Sequence, residues 1–382
     1  MEERSFRYEV VDDPGDFPGL ETEWDRLSEK LAGHITVFAS YLWYQTWWQF
    51  YGADAKLHLF TMWQADNLLG IAPLMWKKSS LHGLPVRTAG FIQNNQSLHN
   101  DFLVIPQFRA IFLEKMLQSL FSLSQWWDVL YFRNLSTISD NYKSIAETLD
   151  REGRSWRQQP NATNSPYLVP TESWEDYYAK RSKRTRKNLK NIQNKINHAG
   201  KVSVKNFRTL EEFLACKEEL FEVARQSWSE GVKDSLGSPA NKDFYESLAQ
   251  KAAAKGWLSI WVLYLDDRMI AVEFHLKAHG KEHAMRGHYL PEFAHLSPGT
   301  YLEAAILKHV FEEQERLQVY DFCGSFDSYK KKWTETSVPH CDLFAFQEKI
   351  YSQCAMIHEF KLVPGAKKVV QWSKGLFRQG RA

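Results

Sequence analysis

The chain of 382 residues is long for one hydrophobic core, and a typical size of ~150 residues per domain favours two domains. Apolar residues at 44% and charged residues at 25% are ordinary for a soluble folded protein, and a net charge of +2 does not by itself indicate nucleic-acid binding. The four cysteines have no CxxC pair and no metal-ligand spacing, so the sequence predicts neither a disulfide framework nor a metal site. The charged N-terminus lacks the apolar core of a signal peptide, and no run of about 18 apolar residues occurs, so a reducing cytoplasm is the expected location.

The 15 tryptophans are the main compositional excess. Many of the aromatic residues lie in apolar periodic segments such as 41–50, which favours a role in the core. A sugar-binding groove lined by aromatic rings is the alternative.

Residues 1–158 are predicted to form one α/β unit. FRYEVV is typical of a strand, and two helical segments, LETEWDRLSEKLA and ASYLWYQTWWQFYG, follow it. The strands KLHLFTMWQ and LLGIAPLMWKK flank a turn at Asp66 and Asn67. A helix over 108–124 then precedes the strand DVLYFRNL.

The second half repeats this order of elements. Helices near 209–230 and 241–256 precede the strands WLSIWVLYLD, MIAVEFHLKA and EHAMRGHYL. The loop PEFAHLSPG, a helix over about 300–315 and the strand QVYDFCG complete it. The sequence therefore predicts two copies of one fold, at 1–158 and 208–350.

The predicted connector, 159–207, contains a basic helix. Seven basic residues lie between Lys180 and Lys190, and Arg184 and Lys187 are candidate contacts to a phosphorylated substrate. The helix could instead bind a membrane surface or RNA, or be a solvated face. The remaining segment, 351–382, alternates basic and apolar residues, which is typical of an interfacial helix and predicts peripheral contact with the inner face of a membrane.

Candidate acid–base groups lie on two predicted strands. Glu273 and His275 share one face of the first, and Arg286 and His288 share a face of the second with Glu282. If the register brings these faces together, the groups form a titratable cluster suited to general-base catalysis, with Glu273 as the base and Arg286 and His288 as substrate contacts. A solvated face of the sheet is the alternative.

The loop that enters the last predicted helix is a candidate anion site. Its residues are Ser297, Pro298, Gly299 and Thr300. Proline suits the first helical turn, and the free N–H groups and positive dipole end there favour a phosphate. A simple helix cap is the alternative.

The stretch YDFCGSFDSYKKKW, at 320–333, follows the last predicted strand. Asp321 and Asp327 could orient an acceptor, Tyr329 could donate a proton, and Lys330 could pair with a phosphate. A surface loop with packed rings and solvated lysines is the alternative.

The order of five segments resembles the CelD-like acetyltransferases, which belong with the Fem peptidoglycan-bridge transferases in the GNAT acyltransferase superfamily. These segments, spread between about 20 and 345, are LLGIAPLMWKK, RSKRTRKNLKNIQNKI, MIAVEFHLK, LSPGTYL and YDFCGSFDSYKKKW. The resemblance implies an α/β (α+β) protein with two tandem GNAT-like domains, each a mixed, mostly antiparallel sheet flanked by helices.

The resemblance also implies an enzyme that transfers an acyl group from acyl-CoA, with acetyl-CoA as the foremost donor. The acceptor would be an amine or hydroxyl of a sugar, a polysaccharide precursor or another cell-envelope building block. The donor pyrophosphate would lie at residues 297–300, and a strand N–H would bind the thioester carbonyl. Glu273 and Asp327 are the candidate bases, and the family segment matches at Asp321, Gly324, Tyr329, Lys330 and Trp333.

Two departures from the family pattern keep alternatives open. The glycine-rich pyrophosphate signature is reduced to Pro298 and Gly299, and one basic helix stands where Fem relatives carry a coiled-coil arm. One alternative is an aminoacyl-tRNA-dependent Fem-type transferase, with tRNA as partner. The other is a non-catalytic module that binds an anionic glycan.

Overall fold

The computed structural model describes residues 6–160, 164–227, 235–313 and 317–365. Most of the predicted interfacial tail, including its basic residues from Lys367 onward, lies outside these ranges.

The first half follows the predicted order of strands and helices. Its elements are β1 (Arg7–Val11), α1 (Glu21–Lys30), α2 (Tyr41–Tyr51), β2 (Ala55–Gln64), β3 (Asn67–Leu81), β4 (Leu84–Phe91), β5 (Leu103–Val104), α3 (Arg109–Ser122), β6 (Val129–Ser136), α4 (Asp140–Arg151) and β7 (Ser155–Pro160). The Ser40 side chain accepts a hydrogen bond from the Trp43 N–H and so caps α2, which explains why this aromatic helix begins at Tyr41.

The connector and second half follow the same plan. Their elements are β8 (Ser165–Leu168), α5 (Trp174–Ala179), α6 (Lys183–Ala199), β9 (Val202–Phe207), α7 (Leu210–Gln226), α8 (Pro239–Ala254), β10 (Leu258–Leu265), β11 (Arg268–Ala278), β12 (Lys281–Tyr289), α9 (Pro298–Glu312), β13 (Val319–Asp321), β14 (Ser337–Val338), β15 (His340–Phe346) and α10 (Ile350–Ile357). A capping box between Thr209 and Glu212 starts α7.

The strands form two mixed sheets of matching topology. The first has the order β1-β2-β3-β4-β6-β15-β7, with β5 beside β3, and the second has the order β9-β10-β11-β12-β13-β8-β14. In each, one parallel pair interrupts the antiparallel ladder, β4 with β6 and β12 with β13. The two sheets confirm the predicted fold class of two similar α/β units.

Two strands pair across the predicted domain boundaries. β15 lies within the range 208–350 but inserts between β6 and β7 of the first sheet. β8 lies in the range assigned to the connector but pairs with β13 and β14 of the second sheet. Each sheet is therefore completed by a segment from outside its predicted domain, which a linear division of the chain does not represent.

A shared hydrophobic core fills the space between the sheets. It combines residues of α1 and α2 with residues of α7 and α8, including the buried rings Trp24, Trp43, Phe244 and Tyr245. Separate cores lie under α3 and α4 on the first sheet and under α6 and α9 on the second. The aromatic segment 41–50 thus contributes mainly to the core, as predicted. No helix of the described ranges combines the length and apolarity that a membrane crossing requires.

Candidate active site

The edge of β12 opens in the second sheet. β13 pairs in parallel with Lys281–His283 only, so within the described residues no strand pairs with Ala284–Tyr289 on that side. The β11–β12 ladder shifts register at Phe274 and His275, where Met285 is the extra residue of a β-bulge. The parallel strands β12 and β13 therefore separate beyond His283.

A buried array of two carboxylates and one imidazole lies beside this opening. His275 has no exposed surface, and its Nε2 lies 3.0 Å from Glu273 Oε2 while its Nδ1 lies 2.9 Å from Glu282 Oε1. Ser259 Oγ and Trp261 Nε1 also donate to Glu282 Oε1, at 2.9 and 3.1 Å. Every polar group that this array buries is thus hydrogen-bonded, which fixes the side-chain positions.

Charge pairing sets the protonation of the array. Burial disfavours a charged His275, but the hydrogen bonds and charges of Glu273 and Glu282 raise its pKa to about 9. Burial likewise opposes ionisation of Glu282, but the hydrogen bonds from His275, Trp261 and Ser259 lower the pKa of Glu282 to about 2. At neutral pH His275 is therefore an imidazolium held between two glutamates.

Glu273 lies against the half of β12 that β13 leaves open. It pairs with Gly287, and a Cβ on Gly287 would make an ordinary 3.5 Å contact with the Glu273 Cγ. The Glu273 side chain therefore lies over Gly287. The predicted face shared by Glu273 and His275 is confirmed.

The predicted contribution of Arg286 and His288 to that face is wrong. The β-bulge pairs Arg286 with Phe274 and His288 with Val272, so both point to the opposite side of the sheet. Arg286 Nη2 donates to Gln96 Oε1 at 2.6 Å and to the Asn95 carbonyl at 3.2 Å, which places it at the contact with the first domain. A role of these two residues in substrate binding stays a prediction.

Glu303, from α9, adds a third carboxylate on the same side as Glu273. It accepts a hydrogen bond from Tyr320 Oη at 3.0 Å, and Tyr320 packs against the His275 ring. Burial and the charge of Glu273 raise the pKa of Glu303 well above its usual range. Tyr329 is half exposed, but desolvation of its hydroxyl and the charges of Glu303 and Glu273 raise the pKa of Tyr329. The site thus contains carboxyl groups with different protonation preferences, as acid–base catalysis requires.

A positively charged cavity lies beside α6 and α9. Its volume is about 430 Å³, and Arg184, Lys187 and Lys332 line it. Lys332 Nζ donates to Thr300 Oγ1, at 3.0 Å, in the first turn of α9. Lys332, which lines the cavity with the predicted substrate contacts Arg184 and Lys187, thus also contacts the predicted donor residue Thr300.

The first turn of α9 is open at this point. Ser297 takes the left-handed conformation, with φ of 56°, and its side chain accepts no capping hydrogen bond. Pro298 occupies the first helical position, and a Cβ on Gly299 would meet only the Tyr289 ring, at 3.7 Å. The geometry is consistent with an anion bound at the positive end of the helix.

The remaining predicted residues occupy separate positions. Asp327 is exposed in the turn before the short helix Lys330–Lys332. Lys330 is buried, and its Nζ donates to the Cys323 carbonyl at 2.6 Å, so its ammonium holds the turn. Their predicted roles in catalysis and binding remain untested.

Asp321 lies on the other face of β13 from Tyr320, away from Glu273. His99 Nε2 lies 3.0 Å from Asp321 Oδ2, and Ser165 Oγ and the Cys323 N–H donate to Asp321 Oδ1 at 3.0 and 2.8 Å. Hydrogen bonds and the charge of His99 outweigh burial and lower the pKa of Asp321. Asp321 and Glu273, both candidate site residues, therefore lie on opposite faces of the sheet.

Several residues of these sites escaped the sequence analysis. Glu303 follows Thr300 by one helical turn, a spacing that could have indicated that its side chain faces the strands. Lys332 was expected to be a solvated lysine, and no local pattern distinguishes it from Lys331. His99 and Ser165 come from distant segments, so only the tertiary structure brings them to Asp321.

Comparisons with known proteins agree with this architecture. The family described as "Acetyltransferase (GNAT) domain" matches residues 183–331, and no curated protein matches the chain. The structure of FemX is similar with a TM-score of 0.61 and 11% identity over 91% of this chain and 99% of that one. The C-terminal domain of a putative lysylphosphatidylglycerol synthetase from Agrobacterium fabrum gives 0.55 and 10% identity, over 88% and 94% of the two chains. A tandem GNAT protein from the clavulanic acid biosynthesis pathway gives 0.51 and 10%, over 89% and 98%.

These likenesses show the fold, two tandem GNAT-like domains related in architecture to FemX. The match at 183–331 begins at the first residue of α6 and covers the buried array, the opening of β12 and the α6 side of the charged cavity, and it ends one residue before Lys332. The narrower CelD-like assignment stays a prediction.

Proposed function

We propose that the protein is an acyltransferase that moves an acyl group from acyl-CoA to an amine or hydroxyl, and that its second domain performs the chemistry. One observation carries this proposal: the second domain combines a β12 edge that β13 leaves open beyond His283, a buried carboxylate–imidazole–carboxylate array, and a cationic cavity whose Lys332 contacts Thr300 in the first turn of α9. A thioester donor with a charged pyrophosphate needs these three features together.

The donor would bind along β12 and α9. Arg184, Lys187 and Lys332 supply positive charge that matches a pyrophosphate, and the uncapped end of α9 adds its dipole. The pantetheine arm would then follow the edge of β12 beyond His283, where β13 no longer pairs with it. A backbone N–H of that edge could donate to the thioester carbonyl as negative charge develops on its oxygen.

Glu273 would serve as the general base. It removes the acceptor proton while the nitrogen or oxygen of the acceptor attacks the thioester carbon, and the CoA thiolate leaves with a proton. His275 positions the Glu273 carboxylate through the 3.0 Å contact, and Glu282 in turn orients His275. Glu303 or Tyr329, both on the Glu273 side, would supply the proton that the leaving group takes.

The acceptor class that we propose is a sugar, a polysaccharide precursor or another cell-envelope building block. Its support is the resemblance of the ordered sequence segments, together with the aromatic and charged surface at Tyr329 beside Glu303. N- and O-acylation both fit this geometry.

A transfer assay tests the proposal directly. The full chain is incubated with acetyl-CoA and longer acyl-CoAs against a panel of amino sugars and nucleotide sugars, and thiol release and product mass are followed. Acyl product with any member supports the acyltransferase. Binding of acidic glycans without transfer or thioester hydrolysis would instead support the non-catalytic module.

A second candidate function is aminoacyl transfer from tRNA, because the fold likeness spans 99% of FemX. The same cationic cavity would then contact a nucleic-acid phosphate. Charged tRNA replaces acyl-CoA in the assay, and binding that weakens steeply with salt together with aminoacyl product would favour this candidate over the first.

A further inference from the structure

Three metal-ligating side chains meet at the junction of the two domains. They are His99, from the segment after β4, and Asp321 and Cys323, from the end of β13. Their ligating atoms all lie within 4.8 Å of one another, and all three residues are buried. The Cys323 Sγ thus belongs to a set that combines nitrogen, oxygen and sulfur donors.

The spacing of the first two donors suits a shared ion. His99 Nε2 and Asp321 Oδ2 are 3.0 Å apart, and two donors bound to a tetrahedral ion at about 2.0–2.1 Å are roughly 3.3 Å apart. Asp321 Oδ1 is already engaged by Ser165 Oγ and the Cys323 N–H, at 3.0 and 2.8 Å. Oδ2 is therefore the oxygen directed at the candidate site.

The surrounding contacts resemble those that support metal ligands. His99 Nδ1 lies 3.1 Å from His340 Nε2, a contact that can orient the ring and hold the proton on Nδ1 while Nε2 binds an ion. Ser165 and the Cys323 N–H orient the carboxylate in the same way. Hydrogen bonds thus hold the His99 ring and the Asp321 carboxylate in place, with His99 Nε2 against Asp321 Oδ2 and 3.4 Å from Ser165 Oγ.

Charge balance also favours a divalent ion. An ionised Asp321 and a Cys323 thiolate together neutralise the two positive charges of the ion, and Lys281 is a further charged residue in the lining of the adjoining cavity. Binding releases the thiol proton of Cys323, and His99 binds as neutral imidazole.

We propose that His99, Asp321 and Cys323 bind one divalent transition-metal ion, Zn²⁺ by the preference of this mixed donor set. Zinc accepts histidine, carboxylate and thiolate ligands together, and three protein ligands leave a fourth position open. A cavity of about 590 Å³ adjoins the site and is lined by His99, Asp321 and Lys281, so that position faces a space large enough for water or a small ligand. The ion would join the first domain to the strand end of the second.

This site is independent of the proposed acyl transfer. It lies on the face of the second sheet opposite Glu273, and none of its three ligands belongs to the array or to the charged cavity. The sequence predicts no metal site, because one ligand lies at position 99 and the other two at positions 321 and 323. Ligands so far apart in the chain form no recognisable metal-binding motif.

The test begins with the full chain carrying Cys354→Ser, which removes the exposed cysteine that could bind metal adventitiously. Zn²⁺ and Co²⁺ are titrated into metal-free protein. The expected result is one ion per chain and, with Co²⁺, a near-ultraviolet sulfur-to-cobalt charge-transfer band. His99→Gln and Cys323→Ser should weaken binding at least about tenfold, as loss of a ligand does, and Cys323→Ser should abolish the band.

The matched controls are Cys216→Ser and His58→Gln, which remove a buried cysteine and a buried histidine elsewhere and should retain both ion and band. If a ligand variant does not fold, X-ray absorption of the zinc-loaded parent still decides the matter. One sulfur neighbour at about 2.3 Å with nitrogen and oxygen neighbours at about 2.0–2.1 Å is expected. No bound ion, a first shell without sulfur, or a band that persists in folded Cys323→Ser would overturn the proposal.

Discussion

The two domains share a backbone plan but differ in the side chains between sheet and outer helix. In both central hairpins, β2–β3 and β10–β11, the partners follow the same register with a shift at the same point. Ala72 and Glu273 are each the sixth residue of their strand, and Leu74 and His275 the eighth. Where the second domain has a carboxylate and an imidazole, the first has apolar residues in the core under α3.

The parallel strand pairs of the two sheets, β4–β6 and β12–β13, are called seams here, and they differ in how closely their strands approach each other. In the first domain, β6 approaches β4 so closely that a Cβ on Gly90 would lie 2.0 Å from the Tyr131 carbonyl oxygen. The segment beyond β4 also bonds to β6, through the bridge of Asn100 with Leu135 and the hydrogen bond from Asn134 Nδ2 to the Ser97 carbonyl. In the second domain the seam opens after His283. The parallel strand pair is thus closed in the first domain and open in the second. This difference supports our proposal that the second domain performs the chemistry.

The largest effect should come from Glu273→Gln. Loss of a general base lowers kcat by about 10²–10⁴-fold, while the affinity for acyl-CoA should change little because the charged cavity is intact. Steady-state kinetics with any accepted acceptor measures this. Glu114→Gln on α3 of the first domain, which removes a surface partner of Arg151, is the matched control and should leave kcat near the parent value. Equal rates for Glu273→Gln and the parent would remove Glu273 from the mechanism.

His275 should titrate unlike any ordinary surface histidine. Its pKa in the folded protein is raised to about 9 from 6.5, so its stabilisation is fully present below pH 6.5 and is lost as pH rises through 9. The loss corresponds to about 3 kcal/mol of unfolding free energy. Glu282, with its pKa lowered to about 2, stabilises the fold above its ordinary pKa of 4.5 and loses this contribution as pH falls toward 2.

Nitrogen NMR of the imidazole gives the pKa of His275 directly, and denaturant unfolding at pH 6 and pH 9 gives the free energy. Replacing Glu282 with Gln should lower the His275 pKa and flatten the change above pH 6.5. His58, a buried histidine of the first domain whose pKa burial lowers to about 4, is the internal comparison. A His275 titration near pH 6.5 in the parent would contradict the charged array.

Lys332→Ala should weaken acyl-CoA binding by about 10–100-fold, the equivalent of one charge-assisted hydrogen bond to phosphate. Calorimetry measures the change in Kd. Lys195→Ala is the matched control, because Lys195 is exposed on α6 outside the cavity, and its Kd should stay within about twofold. Similar affinities of the two variants would place the pyrophosphate elsewhere.

Two glycine substitutions compare the seams. Gly90→Ala should lower the free energy of unfolding by about 1–3 kcal/mol, because its Cβ collides with backbone. Gly287→Ala makes only an ordinary 3.5 Å contact with the Glu273 Cγ, so it should fold normally and leave kcat near the parent value. Gly19→Ala, with no atom within 4 Å of its Cβ, is the control for both in thermal unfolding and kinetics. Equal stability of Gly90→Ala and Gly19→Ala would show that the first seam is not closed.

Local patterns predicted much of this architecture. Alternation in MIAVEFHLK placed Glu273 and His275 on one face, and turn residues located both central hairpins. The proline and glycine before α9 marked its start to within two residues. Strand alternation, turns and helix starts depend on residues that are close together in the sequence. They can therefore be predicted from the sequence alone.

Long-range features were not predictable in this way. The bulge at Met285 turns Arg286 and His288 to the other face, and a one-residue shift has no clear local signature in this strand. The insertion of β15 into the first sheet and the meeting of His99 with Asp321 depend on how distant segments pack.

Calorimetric titration of the full chain with acetyl-CoA, with the double variant Arg184→Ala/Lys332→Ala in parallel, tests whether the second domain binds the donor. We expect one site per chain in the parent and a Kd raised at least about tenfold in the double variant. Two equivalent sites, or a site that the double variant leaves unchanged, would contradict the assignment of the donor to the second domain.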